Sequence, residues 1–143
     1  MRYYSIEKKE NKILLKLAGA NPRNEEDMSD GKYWSAKSQR ELLDLINEDV
    51  NILHILKGEV FLSRNIFPLF TLCKRIKKKY PHVKICLWTR ASIKSCLKEC
   101  KNNPQIKSIL ELVDIVVEQY TKTPRAIDVP VLLKEHRIKQ VKI

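Results

Sequence analysis

Apolar residues fall in short clusters of strand length, separated by segments in which they recur at helical spacing. Ile13 to Leu17 predicts a short strand, although its alternation is imperfect. A polar stretch from Ala20 to Tyr33, with Pro22 and two asparagines, predicts a long loop. Ser38-Gln39-Arg40-Glu41 has the form of a capping box, and Leu42, Leu43, Leu45 and Ile46 follow as the apolar face of a helix. Asn51 to Leu56 predicts a second strand, ended by Gly58. A helix is expected from about Asn65 to Tyr80, with Ile66, Phe70, Cys73 and Ile76 on one face, Pro68 near its start and Pro81 at its stop. Val83 to Trp88 predicts the next strand, then a helix from Ser92 through Lys101 and a short one over Ile106 to Leu112. Val113 to Val117, rich in β-branched residues, predicts a buried strand. A shorter strand is expected at Ala126 to Val129, a helical turn at Val131 to Glu135, and a terminal strand at Ile138 to Ile143.

Strands that alternate with helical segments imply crossover connections and a mainly parallel sheet. No repeat, low-complexity tract or linker interrupts the pattern. The expected fold is therefore α/β, a partial (β/α) barrel-like sheet formed as one domain over residues 1–143. A chain of that length buries roughly two-thirds of its unfolded surface.

Composition changes this picture in one respect. Hydrophobic residues make up 43% and charged residues 31%, ordinary for a globular protein, but the net charge is +11. Such an excess favours nucleic acid or an acidic protein surface through long-range attraction and counterion release. It equally suits a solvated lysine-rich surface. No apolar run has the length of a membrane span, and Met1 to Glu7 lacks the apolar core of a signal peptide, so the expected address is cytoplasmic, away from membranes.

The four cysteines, Cys73, Cys86, Cys96 and Cys100, are expected to be reduced in that compartment. Cys73 and Cys86 lie among apolar residues and are read as core. Cys96 and Cys100 are spaced to share a helix face and could hold two corners of a metal site, which would need two further donors. His54, His82 and His136 are scattered and are read as core or surface residues, and Trp88 as core. No P-loop, G-x-S-x-G or H-E-x-x-H motif is present.

Several landmarks occur in a distinctive order. Lys57-Gly58-Glu59-Val60 follows the second strand, Trp88-Thr89-Arg90 ends the third, and Leu110-Glu111-Leu112-Val113-Asp114-Ile115-Val116-Val117 passes from helix into strand. Together with Thr123-Pro124-Arg125-Ala126-Ile127-Asp128 they resemble the anaerobic ribonucleotide reductase activating proteins, small members of the radical S-adenosylmethionine superfamily. The resemblance covers nearly the whole chain. It places a cluster-binding Cys-x3-Cys-x2-Cys loop after the first predicted strand, where this sequence has Ala20, Asn24 and Asp27. It also makes Gly58 and Glu59 remnants of a Gly-Gly-Glu-Pro segment that meets the amino end of adenosylmethionine. A [4Fe–4S] cluster of this kind needs three thiolates. The resemblance thus implies a scaffold without cluster chemistry: no catalytic residue, no cofactor and no metal.

What remains is binding. Lys74, Arg75, Lys77, Lys78, Lys79 and Lys84 form one basic group, and Lys134, Arg137 and their neighbours a second. A solvated helix whose terminal cations complement its dipole accounts better for the first group taken alone, and the two groups together favour a nucleic-acid or ribonucleoprotein partner. Trp34, beside Tyr33 in the loop, is suited to stack on a base, fill a partner's pocket or pack on the core. The expected function is inhibition or regulation of a larger protein or ribonucleoprotein partner through the basic surface and the remodelled loop. The family suggests a glycyl-radical enzyme as that partner; the charge favours a complex that handles nucleic acid. Two alternatives stand beside it: a mobile-element inhibitor of bacterial defence, in the manner of anti-CRISPR proteins, and an enzyme that still binds S-adenosylmethionine through Gly58 and Glu59. RNA, DNA and protein contacts, and the oligomeric state, are left open at this level.

Overall fold

A computed structural model describes residues 4–17, 34, 38–56, 63–89, 104–118 and 125–129. Strands β1 (Tyr4–Lys9), β2 (Lys12–Leu17), β3 (Ile52–Leu56), β4 (Lys84–Thr89), β5 (Ile115–Glu118) and β6 (Arg125–Asp128) form one sheet in the order β1-β2-β3-β4-β5-β6. β2 to β5 are parallel, and β1 and β6 close the edges antiparallel. The described helices are α1 (Gln39–Leu43), α2 (Ser63–Lys79) and α3 (Pro104–Leu112). The sheet is α/β and mainly parallel, as the alternation of elements predicts.

Strand order that advances by one neighbour per crossover has a consequence. With every crossover of the same hand, all helices must fall on one face of the sheet. The core follows this rule. Ile13, Leu15, Leu17, Leu53, Ile55, Ile85, Leu87 and Val116, all on one face, share a cluster with Leu42 of α1, Leu69, Leu72, Cys73 and Ile76 of α2, and Ile106, Ile109 and Leu110 of α3. Their neighbours along the strands, Leu14, His54, Cys86, Trp88 and Val117, point to the opposite face and do not belong to that cluster. Each fully buried leucine or isoleucine contributes about 1.5–3 kcal/mol relative to exposure.

The sheet begins with a feature the apolar pattern does not announce. β1 and β2 form a hairpin with Lys9 opposite Lys12, so that Glu10 and Asn11 make a two-residue turn. Glu10 adopts φ 57°, a left-handed conformation usual for glycine, asparagine or aspartate in such turns. Tyr4 and Ile6 face the helices from β1, and Tyr4 packs edge-on against the buried ring of Trp34, their centroids 5.6 Å apart. Of the three roles open to Trp34, core packing is the one seen.

Two local expectations are corrected. Ser38 forms no side-chain cap, because it is buried and itself helical (φ −68°, ψ −20°), whereas a capping residue needs extended backbone. Glu41 instead accepts a bond from the Tyr4 hydroxyl at 3.5 Å. α1 is also shorter than its apolar face suggests: Leu45 and Ile46 continue it only as tight turns that bond back to Leu42 and Leu43.

α2 starts at Ser63, ahead of the expected start, which puts Pro68 in its second turn. A proline there removes one helical hydrogen bond. The fully buried Gln39 supports this point from α1. Its amide donates to the Pro68 carbonyl (2.9 Å) and to Thr71 Oγ1 (2.6 Å), while its own oxygen accepts from Arg75 (3.1 Å). The strands expected at residues 51–56, 83–88, 113–117 and 126–129 each correspond to an observed strand, with ends shifted by one or two residues. The segments expected at Ser92–Lys101, Val131–Glu135 and Ile138–Ile143 lie outside the described residues.

Candidate functional site

The basic group read from the sequence is divided by the fold. Within α2, Ile76 is buried, and Lys74, Arg75, Lys78 and Lys79 are exposed around the outer surface. Lys77 turns inward. Its ammonium lies 2.5 Å from Asp114 Oδ2 and 3.5 Å from the Val83 carbonyl, and the same Asp114 oxygen accepts the Ile85 N–H at 2.9 Å. Lys77 is therefore a structural cation and leaves the outer stripe. Lys84 leaves it as well: its register opposite Ile52 places it on the face of the sheet away from the helices. Among the described residues, Lys74, Lys78, Lys79 and Lys84 have no carboxylate within ion-pair distance. Lys134 and Arg137 lie outside the described residues, so the second basic group has no placement relative to the first.

The exposed α2 surface is not purely ionic. Phe67 is 57% exposed, and the Lys74 ammonium stands 5.8 Å from the centre of the Phe70 ring. Lys79 makes the same kind of contact with Tyr80 at 5.4 Å. Beside them a mainly apolar hollow of about 480 Å³ is bounded by Leu43 of α1 and the stems of Arg75, Lys78 and Lys79. Long cationic stems covering apolar surface make such a patch amphipathic.

The opposite face of the sheet carries a cleft of about 390 Å³, lined by Lys9, Glu10, Lys12, Leu14, His54, Leu56 and Trp88. Its centre is a pair that sequence reading treats as two unrelated residues. Trp88 Nε1 donates to His54 Nδ1 at 3.1 Å, with the rings 6.1 Å apart and tilted by 58°. An indole nitrogen only donates, so Nδ1 is the acceptor and the neutral imidazole carries its proton on Nε2. Burial, then the nearby Lys12 ammonium, push the His54 pKa below its ordinary value, which favours the neutral ring. The alternation of the strands contains the signal that finds this pair. His54 sits between buried Leu53 and Ile55, and Trp88 between buried Leu87 and Thr89, which turns both outward to the same face.

The described cysteines are core residues, as expected. Burial pushes the Cys73 thiol up to about 12 and the Cys86 thiol up to about 11. They lie on opposite sides of the sheet, Cys73 in the helix-covered core and Cys86 in register with His54. No group of three or more His, Cys, Asp or Glu residues among those described is placed to hold a metal ion. Leu17 and Leu56 end neighbouring parallel strands at the carboxyl edge of the sheet. Ala20, Asn24, Asp27, Gly58, Glu59, Cys96 and Cys100, which follow β2, β3 and β4 in the chain, lie outside the described residues. No described helix is long and apolar enough to cross a membrane.

No curated protein and no solved structure matches the chain significantly. A family model described as a 4Fe-4S single cluster domain matches residues 16–127, from the end of β2 to the end of β6. That span contains the parallel pairings of β3 with β4 and of β4 with β5 and most of the chain, so the protein belongs to the 4Fe-4S single cluster domain family.

Proposed function

We propose that this chain keeps its family's scaffold without the cluster, and acts by binding a larger partner through the outer surface of α2. In this reading it is a degenerate relative of the anaerobic ribonucleotide reductase activating proteins, and a cytoplasmic inhibitor or regulator. The observation that carries it is the placement of the thiols. A cluster of this family's kind needs three thiolates together. The chain has four cysteines, and none stands at Ala20, Asn24 or Asp27. Cys73 and Cys86 are buried on opposite faces of the sheet with thiols held protonated, so they cannot serve one cluster together. Cys96 and Cys100 then supply two thiolates at most. These residues do not fit such a cluster.

The partner chemistry follows from the α2 surface. Four exposed cations are set among Phe67, Phe70 and an apolar hollow, which suits an acidic protein surface carrying apolar side chains. A groove for a nucleic-acid backbone would gain more from a continuous cationic track, and the removal of Lys77 and Lys84 shortens that track. A glycyl-radical enzyme or a protein of a nucleic-acid-handling complex meets this description, as does a target of a mobile-element inhibitor.

Anaerobic reconstitution with iron and sulfide tests the first half. A colourless product supports it, and brown protein with cluster absorbance and three thiolate ligands overturns it. Capture from the source cell, with wild type and K74E/K78E compared at low and high salt, tests the second half. Loss of one specific protein in the variant supports the reading; a nuclease-sensitive partner, or capture unaffected by the charge reversal, overturns it.

A further inference from the structure

We infer that the cleft over His54 and Trp88 is a binding site for a small aromatic anion, a planar ring bearing one carboxylate or phosphate group. It lies on the face of the sheet opposite the helices, so it is independent of the reading of α2.

Its walls divide into two kinds. Leu14, Leu56 and the half-buried indole of Trp88 make an apolar bed suited to a flat ring. The polar lining converges from three elements: Lys9 and Lys12 flank the hairpin turn, Glu10 lies within it, and His54 rises from β3. Lys9 and Lys12 donate only, and His54 offers its Nε2–H because Trp88 already occupies Nδ1. Among the described lining residues Glu10 is the only side chain that serves as an acceptor toward a ligand, and it lies on an exposed turn. Three donors against one acceptor select a ligand that brings acceptors, hence an anion. A cationic ligand would meet two ammonium groups. Lys12 and His54 line the same cleft, Lys12 standing two residues before Leu14, the register partner of His54.

The volume of about 390 Å³ falls in the range of small-molecule pockets, near its lower end. It admits one ring system with its charged group. The Trp88–His54 bond fixes both walls before a ligand arrives, which lowers the ordering cost of binding.

The test is a titration of the full-length ¹⁵N-labelled protein, following the Trp88 indole N–H resonance, assigned with W88F. The probes are benzoate and phenyl phosphate, with benzamide as the neutral ring and acetate as the ringless anion. The expected result is a saturable shift of that resonance with benzoate or phenyl phosphate, the stronger of the two naming the anionic group. Benzamide and acetate bind at least about tenfold more weakly, and Lys12→Gln weakens the aromatic anion by about tenfold. Lys12 is exposed, so this variant is expected to fold as wild type does, which the dispersion of its spectrum verifies. No saturable shift up to about 10 mM of either anion overturns the inference. So does equal binding of benzamide, or an unchanged affinity in Lys12→Gln.

Discussion

Replacing Asp114 by alanine removes the side-chain half of a junction, the half that ties β4 and α2 to the residue ahead of β5. Its carboxylate accepts the Ile85 N–H of β4 at 2.9 Å and the Lys77 ammonium of α2 at 2.5 Å. Its backbone N–H donates to the Ile85 carbonyl, and its carbonyl accepts from Val129, just past the end of β6. The side chains of Lys77 and Asp114 are 25% and 33% exposed, so their ion pair lies between the surface and the buried regimes. The surface value of up to about 1 kcal/mol is a fair lower figure for the pair alone. The Ile85 amide adds more. Ile85 is fully buried, and an amide left unpaired there costs about 1–3 kcal/mol. These contributions overlap, and D114A is expected to lose about 2–3 kcal/mol. For a chain of this size the melting temperature should then fall by about 6–12 °C.

Thermal and urea unfolding followed by circular dichroism would measure the loss. Asp114→Asn keeps an acceptor for the amide but not the charge and should recover about half of it. Lys77→Met keeps the apolar stem and should cost about 1 kcal/mol. If D114A melts within about 2 °C of wild type, the junction is not the anchor described, and Lys77 returns to the exposed basic surface. The K74E/K78E variant should behave in the opposite way, with stability near wild type and partner capture lost.

Glu10→Gly relieves a left-handed residue and should stabilise the protein by about 1 kcal/mol, so a lower melting temperature would count against the hairpin geometry. His54 has a folded pKa below its unfolded value of 6.5, so the unfolded state binds the extra proton first. Stability should therefore be full above that pH and decline as pH falls from there through the lower folded pKa; His54→Gln should flatten this part of the pH–stability curve. An unchanged pH profile in that variant would show that another group titrates there. Cys73 and Cys86, with thiols pushed up to about 12 and about 11, should resist alkylation in the native protein and react once it is unfolded. Peptide mapping of either label in the native state would contradict their burial.

Much of the fold is legible in one dimension because local periodicity reflects burial directly. The apolar clusters at Ile52–Leu56, Lys84–Thr89 and Ile115–Glu118, with helical segments between them, specify a parallel sheet before any contact is known. The core positions of Cys73 and Cys86 follow from their apolar neighbours in the same way. The order of landmarks along the chain points to an iron–sulfur scaffold, and the match over residues 16–127 is to a 4Fe-4S single cluster domain. β1 is harder to read, since Tyr4 and Ile6 are its only large apolar residues and Glu-Asn is an unusual two-residue turn. Ser38 shows the limit of motif reading, because tertiary burial in helical geometry overrides a capping signal.

The sites are decided at longer range. A run of lysines has no sidedness until the helix packs, and only packing distinguishes Lys77, drawn to Asp114 from 37 residues away, from its exposed neighbours. Lys84 is close to that run in sequence yet lies across the sheet from it, because strand alternation turns it outward. His54 and Trp88 meet only because β3 and β4 pair in one register; a shift of one residue would send either to the opposite face. Composition and periodicity determined what kind of sheet this chain makes. Register and helix packing decided which side chains share a surface, since those depend on distances between residues far apart in the chain.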